Sequence, residues 1–221
     1  MPSRWWVPIP RLDPSMVKLE FVHAAFSGWF DRTMAEHKAG DKPYAVSPPS
    51  RRGGHVGVEI SLLNDVAHER FAEATQRSSE VRLGNQKRLT DRPHLVQRAS
   101  WRELARPTGD REWTLHLLTP TTFRSGPRSS PLPSVETVIA GLARAWNLWC
   151  DEPDLIPLPQ DLRDPAYRRV WVSDLTLTST VTELTIGRTS GARTAVHLSG
   201  CTGSMTFRAD DDLTAAWAGP L

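Results

Sequence analysis

His37 and Lys42 are the residues of this sequence whose types and spacing best suit chemistry on a phosphate group. His37 stands five positions ahead of Lys42, where a predicted helix should end and a strand should begin. An imidazole exchanges protons near neutral pH, and a nearby ammonium group can hold a phosphate. The pair therefore predicts acid–base catalysis on a phosphodiester. The alternative is structural, because a histidine near a helix C-terminus can simply favour the helix dipole and a lysine beside a turn is usually solvated.

The helix before His37 should bring two further polar side chains towards it. Asp13-Pro14 suits a helix start, and we expect one helix from there to about Glu36. Its apolar residues recur at three- and four-residue steps and form one stripe: Met16, Leu19, Val22, Phe26, Trp29 and Phe30. His23 and Ser27 lie four residues apart on one flank of this helix, which we expect to face the turn that carries His37.

Alternating apolar and polar residues predict strands in the rest of the first half. Residues 5–9 should form an edge strand, because Pro8 cannot donate to a ladder of hydrogen bonds. Further strands are expected at 44–47, 56–62, 80–89 and 95–101, with a helix capped by Asn64 among them. The order strand, helix, strand, strand, helix, strand is the ferredoxin-like plan.

The same order begins again after the turn-rich segment at residues 106–110. A strand at 113–118, a helix capped by Ser134, strands within 170–207 and a last helix after residue 212 are expected, and no closing strand follows before Leu221. The sequence therefore predicts an α+β chain of two ferredoxin-like, RRM-like βαββαβ halves. The first domain should span residues 1–106 and the second residues 111–221, the second being incomplete at its C-terminus.

The composition is that of an ordinary soluble globular protein, with 221 residues, 39% hydrophobic residues and a net charge of +2. The charge is unevenly distributed, because nine basic and four acidic residues lie between Arg77 and Arg111. Such a surplus can neutralise phosphates without regard to sequence and favours a polyanionic partner. A solvated basic face explains it equally well.

Cys150 and Cys201 lack the number and spacing of a zinc site or of a disulfide framework, so we expect both to be reduced and structural. No stretch approaches the roughly 18 apolar residues that cross a bilayer, and the N-terminus carries no signal-peptide core. The sequence predicts a cytoplasmic protein with no cofactor, no metal and no membrane partner.

Three segments carry a resemblance to a known family. The first holds residues 22–26 (VHAAF), then His37, then residues 42–47 (KPYAVS). The second holds residues 117–123 (LLTPTTF), 132–133 and 142–147 (LARAWN), and the third is residues 200–207 (GCTGSMTF). In this order they resemble the CRISPR-associated repeat-processing endoribonucleases, the Cas six family, which cut precursor CRISPR RNA. The resemblance agrees with the tandem ferredoxin-like plan.

The resemblance implies a metal-independent endonuclease that cleaves within a CRISPR repeat and often stays on the crRNA product with other Cas subunits of an effector complex. By position, His37 matches the family's usual catalytic histidine and Lys42 the lysine that follows it. Ser27 falls where some members place a catalytic tyrosine, and His23 on the same flank could substitute. The residues predicted to contact RNA are Arg51, Arg52, Lys87, Arg88, Arg92 and Arg98.

Cleavage would proceed by attack of a ribose 2′-oxygen on the adjacent phosphorus, giving a 2′,3′-cyclic phosphate and a 5′-hydroxyl. His37 can serve as base or acid, and Lys42 can stabilise the developing negative charge. The alternative is a non-catalytic RNA-binding or assembly subunit of a CRISPR ribonucleoprotein. Ser27 and the lack of the family's glycine-rich C-terminal segment after Trp217 favour that alternative. The sequence leaves both hypotheses open.

Overall fold

The computed structural model describes residues 1–77, 80–125, 128–152, 155–156, 165–187 and 193–221. The chain forms two compact units, Met1–Glu103 and Leu104–Leu221. The domain limits expected from the sequence, residues 106 and 111, remain predictions.

The first unit is built on an antiparallel sheet with helices on one face. Its elements are β1 (Ser3–Pro8), α1 (Leu19–Phe30), α2 (Met34–Lys38), β2 (Tyr44–Val46), β3 (Ser50–Arg52), β4 (His55–Leu62), α3 (Asp65–Arg77), β5 (Glu80–Leu83), β6 (Gln86–Leu89), β7 (His94–Arg98) and α4 (Trp101–Leu104). The strand order is β2-β4-β1-β7, with β3 paired to β4, while β5 and β6 form a separate hairpin. As predicted, Asn64 caps α3, its Oδ1 accepting from the amide of Ala67 at 2.9 Å.

The prediction that residues 5–9 form an edge strand is wrong, because β1 lies between β4 and β7. Pro8 is tolerated there because it is the last residue of the strand, opposite Gly57 of β4. Gly57 has a packing role at this point. A Cβ atom on it would lie 2.4 Å from the carbonyl oxygen of Val7 and 2.7 Å from the ring of Trp6.

The core of the first unit lies between the sheet and the helices. Val22, Phe26 and Phe30 of α1 are at most 3% exposed, and they belong to one apolar cluster with Val58 and Ile60 of β4. Full burial of one such side chain stabilises the fold by about 1.5–3 kcal/mol. The predicted stripe therefore holds α1 on the sheet through Val22, Phe26, Trp29 and Phe30. Its first two members do not take part, because Met16 lies before α1 and is 73% exposed and Leu19 is 40% exposed.

The single helix expected from residue 14 to residue 36 is wrong in extent. Pro14–Met16 forms a 3-10 turn, α1 ends at Phe30, and α2 begins at Met34. The new start is stabilised by a capping box, in which Thr33 Oγ1 accepts from the Glu36 amide and the Glu36 carboxylate accepts from the Thr33 amide, both at 3.1 Å. The Thr33-x-x-Glu36 pattern is visible in the sequence, just after the predicted apolar stripe ends at Phe30.

The second unit contains β8 (Glu112–Thr121), β9 (Phe123–Ser125), β10 (Arg128–Ser130), α5 (Val135–Trp149), β11 (Val170–Gly187), β12 (Arg193–Ala209) and α6 (Asp212–Ala218). Its main sheet has the order β11-β12-β8, and in the described residues no strand pairs with the other edge of β8. The predicted α+β plan of two ferredoxin-like halves is confirmed.

Two smaller features complete the fold. Cys150 and Cys201 are free and buried, as predicted, and burial raises the pKa of both thiols. Within the described part of the chain, no helix is both long enough and apolar enough to span a membrane.

Candidate active site

His37 lies on the short helix α2, one turn after the helix start. Its amide donates to the carbonyl of Thr33 at 2.9 Å, so the backbone at this position is fixed by helical hydrogen bonding. The side chain is 47% exposed. Its Nδ1 atom lies 3.0 Å from Oδ2 of Asp31, the residue that ends α1. The imidazole is therefore held at one nitrogen and open to solvent elsewhere.

Asp31 is the centre of a set of interactions that we call the carboxylate hub: Asp31, His37, Lys42 and Tyr44. The Asp31 side chain is only 6% exposed. Its Oδ1 accepts from the Tyr44 hydroxyl at 3.1 Å, and its Oδ2 accepts from Lys42 Nζ at 3.0 Å. A buried carboxylate is tolerated only when donors of this kind satisfy it.

The hub keeps Asp31 ionised. Burial by itself would raise the pKa of this carboxyl, but the hydrogen bonds from Lys42, His37 and Tyr44 and the charge of Lys42 outweigh burial and lower the pKa below its usual value. Burial and the Asp31 charge raise the pKa of Tyr44, which keeps its hydroxyl protonated as a donor.

An ionised carboxylate can only accept hydrogen bonds, so the hub determines which nitrogen of His37 carries the proton. Because Nδ1 faces the Asp31 oxygen, this hydrogen bond requires the tautomer that carries its proton on Nδ1. In the neutral ring, Nε2 is then the unprotonated nitrogen. The Asp31 contact does not use Nε2, and the His37 side chain as a whole is 47% exposed.

Lys42 is more enclosed than the sequence suggested. Its side chain is 17% exposed, and its ammonium donates to the Glu36 carbonyl as well as to Asp31. It also lies 5.9 Å from the centre of the Tyr44 ring. Two of its three N–H groups are thus used, one by Asp31 and one by the Glu36 carbonyl. The structure brings Lys42 to His37 through Asp31.

The two remaining catalytic candidates differ in their accessibility. His23 is exposed on α1, and its ring centre lies 6.3 Å from that of His37. Ser27, in contrast, is 3% exposed, and its hydroxyl donates to the Ala24 carbonyl of its own helix at 3.3 Å. The structure brings His23 and His37 together and leaves the Ser27 hydroxyl buried.

A second layer of contacts fixes the corner between α1 and α2. Arg70 of α3 donates to the Glu36 carboxylate at 2.7 Å and also to the carbonyl of Phe30. The Arg70 bond to the carboxylate, with those from the Arg32 and Thr33 amides, lowers the pKa of Glu36. The end of α1 and the start of α2 are therefore braced by the same guanidinium group.

Sequence reasoning missed Asp31, Tyr44 and Arg70. Asp31 lay inside the predicted helix, and the contacts of Tyr44 and Arg70 span 13 and 34 to 40 residues. The one local signal for a helix end at this point was Asp31 itself, a polar residue that ends the apolar stripe and is followed by Thr33-x-x-Glu36.

The predicted RNA-binding residues all belong to the first unit. Arg51 and Arg52 are exposed on β3 beside the Gly53-Gly54 turn, and Arg92 and Arg98 are exposed near the two ends of β7. The other two belong to the β5–β6 hairpin. Lys87 pairs with Glu80 at 3.1 Å, and Arg88 donates to the Lys87 carbonyl at 3.0 Å. Among the described residues, no group of three or more His, Cys, Asp or Glu side chains could hold a metal ion.

Comparison with known proteins relates these observations to a family. The model of the family described as CRISPR-associated endoribonuclease Cas6 matches residues 115–219, which include the second and third motifs quoted above. This part of the chain is similar to the Cas6 family. Members of this family are known as CRISPR repeat RNA endoribonucleases. The matched residues do not include the carboxylate hub.

Solved structures extend the likeness to the whole chain. A Cas6 product complex is 19% identical, with a TM-score of 0.71 over 100% of this chain and 90% of that one. A Thermus thermophilus Cas6 is also 19% identical, with a TM-score of 0.65 over 100% of this chain and 88% of that one. An RAMP protein binding different RNA substrates is 13% identical, with a TM-score of 0.53 over 96% and 90% of the two chains.

At these identities the likeness establishes the fold alone. It agrees with the two ferredoxin-like halves read from the strand order. No curated protein matches the chain by sequence.

Proposed function

We propose that this chain is a Cas6-family protein and a metal-independent endoribonuclease that cleaves CRISPR repeat RNA. The observation that carries the proposal is the pair of accessible imidazoles, His23 and His37, whose ring centres lie 6.3 Å apart. General acid–base groups act at about 2.6–3.2 Å from the proton they transfer. Two rings at this separation can reach the two sides of one phosphate group.

We assign His37 as the base and His23 as the acid. Nε2 of neutral His37 accepts the proton of a ribose 2′-hydroxyl, and the oxygen attacks the adjacent phosphorus. The bond from phosphorus to the 5′-oxygen breaks, and protonated His23 gives its proton to that oxygen. The products are a 2′,3′-cyclic phosphate and a 5′-hydroxyl. Each group accelerates the reaction by about 10²–10⁴-fold.

RNA binding is proposed to depend on phosphate contacts from the first unit. The exposed residues Arg51, Arg52, Arg92 and Arg98 suit this role best, with Lys87 and Arg88 contributing from the β5–β6 hairpin. Such contacts bind without regard to sequence, whereas 2′-hydroxyls and A-form shape distinguish RNA from DNA. The likeness of this chain to an RAMP protein binding different RNA substrates supports RNA as its partner. Retention of the crRNA product in an effector complex with other Cas subunits belongs to the same proposal.

The test uses the purified chain, its own repeat RNA and a metal chelator. We expect cleavage to persist with the chelator, to stop when the 2′-hydroxyl at the cleaved bond is replaced by hydrogen, and to fall by about 10²–10⁴-fold in His37→Ala with RNA affinity unchanged. His116→Ala, which removes an exposed histidine of β8, is the matched control and should cleave normally. Normal cleavage by His37→Ala would refute the assigned role.

The second candidate is a non-catalytic RNA-binding or assembly subunit. The burial of the Ser27 hydroxyl favours it, because this hydroxyl cannot replace the tyrosine that the family resemblance places there. Tight binding of repeat RNA without any cleavage would support this candidate and refute the nuclease.

A further inference from the structure

We propose that Asp31 is a positioning residue for His37, and that Lys42 acts on the site by holding Asp31 rather than by touching the scissile phosphate. The proposal rests on the proposed nuclease function for its kinetic consequences. Its structural content, the tautomer of His37, can be tested without RNA.

The Asp31 carboxylate is fixed from three directions. The backbone amide of Asp31 donates to the Ser27 carbonyl at 2.8 Å and closes the last turn of α1. Tyr44 from β2 holds Oδ1 at 3.1 Å, and Lys42 from the preceding loop holds Oδ2 at 3.0 Å. The Tyr44 ring is itself stacked on Phe30, with 4.1 Å between ring centres. A carboxylate held in this way cannot rotate freely, so it presents one acceptor to His37 in a constant direction.

The position of Lys42 argues against direct contact with the phosphate. Its side chain is 17% exposed, whereas that of His37 is 47% exposed. If the ammonium moved out to a ligand, it would leave a carboxylate that is 6% exposed without its ion pair, which is strongly destabilising. Where it lies, Lys42 neutralises Asp31. The hub therefore offers His37 a hydrogen-bond acceptor without presenting a net negative charge to an incoming phosphate.

The consequence for catalysis is that Asp31 determines which ring nitrogen of His37 carries the proton. With Asp31 as acceptor, the proton of neutral His37 stays on Nδ1 and Nε2 is ready to take a proton. An asparagine at position 31 can turn its amide N–H towards the ring and favour the opposite tautomer. In serine proteases the equivalent exchange lowers kcat by about 10⁴ through the wrong tautomer. His37 is partly exposed and can rotate, so we expect a smaller loss of about 10- to 100-fold in Asp31→Asn.

The first experiment measures the tautomer directly by ¹⁵N NMR of the His37 ring in the RNA-free protein, just above neutral pH. We expect the wild-type protein to show the Nδ1–H form and Asp31→Asn to show mostly the Nε2–H form. Asp65→Asn is the matched control, because its carboxylate is 89% exposed and lies outside the hub. An Nε2–H tautomer in the wild-type protein would overturn the proposal even if the variant did not fold.

The second experiment measures single-turnover cleavage in double-mutant cycles. If Asp31 acts through His37, Asp31→Asn should cost nothing further when His37 is already alanine. If Lys42 acts through Asp31, Asp31→Asn with Lys42→Met should cleave as slowly as Asp31→Asn alone. Losses that multiply in either pair would overturn the corresponding role. Should the wild-type chain fail to cleave RNA at all, the nuclease proposal fails and the NMR result still decides the role of Asp31.

Discussion

Replacement of Lys42 by methionine should destabilise the protein far more than the loss of an ordinary surface ion pair. The change removes the ammonium from a carboxylate that is 6% exposed, while Tyr44 and His37 continue to donate to it. Breaking a buried ion pair from one side costs about 3–5 kcal/mol. Because two donors remain, we expect about 2–3 kcal/mol for Lys42→Met.

The matched control is Lys87→Met. Lys87 and Glu80 form a pair of nearly the same length, 3.1 Å against 3.0 Å for Lys42 and Asp31, but the two side chains are 68% and 49% exposed. Exposed pairs contribute about 0–1 kcal/mol. The two variants therefore separate the effect of burial from the effect of distance.

The assay is thermal unfolding followed by circular dichroism near neutral pH. A loss of 2–3 kcal/mol corresponds to a fall in Tm of about 10 °C if the first unit unfolds alone, and about 5 °C if the whole chain unfolds together. Lys87→Met should lower Tm by less than about 5 °C if the first unit unfolds alone, and by less than about 2–3 °C if the whole chain unfolds together. Equal losses in the two variants would show that Lys42 does not compensate a buried charge, and the carboxylate hub would lose its physical basis.

The pH dependence provides a second check on the same reasoning. The pKa of Asp31 is lower in the folded protein than in the unfolded chain, so its stabilisation is complete above its unfolded value of about 3.9 and is lost as pH falls through the folded value. In Lys42→Met the ion pair is gone and burial favours the neutral acid. The difference in stability between the variant and the wild type should therefore shrink below about pH 4.

Two further predictions concern the scaffold of the first unit. Burial is the main influence that lowers the pKa of His68; the N-terminal amino group and Arg98 add to it, and the Asn64 carbonyl and Asp65 oppose it. The stability of the protein should therefore fall as pH decreases below the unfolded pKa of about 6.5. Urea unfolding of His68→Gln should show a flatter pH dependence than that of the wild type. Gly57→Ala should destabilise the protein by more than about 2 kcal/mol in urea unfolding, because the alanine Cβ would lie 2.4 Å from the Val7 carbonyl oxygen. A loss below about 0.5 kcal/mol would contradict this packing.

Local sequence patterns predicted the elements that depend on neighbours along the chain. The alternation in residues 56–62 specifies one buried face of β4, and Asn64 caps α3 through an amide three residues away. The central position of β1 could not be predicted in this way, because it depends on pairing with strands more than 45 residues distant. Pro8 misled the prediction because a proline at a strand end breaks no hydrogen bond of the ladder.

The candidate site was predicted only in part for the same reason. His37, Lys42 and His23 were found from residue type, spacing and resemblance, and the structure shows them in one region. Asp31 and Tyr44 were missed because they act through contacts 6 to 13 residues apart that cross a helix end and a loop. Ser27 was selected from its position on a helix flank, and that flank turns its hydroxyl towards the backbone of the same helix.

The break between α1 and α2 is the feature that brings His23 and His37 close together. His23 and His37 are 14 residues apart, so on one continuous helix they would lie about 21 Å from each other along the axis. The chain instead leaves the helix at Asp31 and restarts at the Thr33 capping box, and the two ring centres come within 6.3 Å. Asp31 thus closes the last turn of one helix with its backbone while its side chain orients the histidine of the next. Because Arg70 bonds to both sides of the break, α3 also helps to hold α1 and α2, and with them the two imidazoles, in this arrangement.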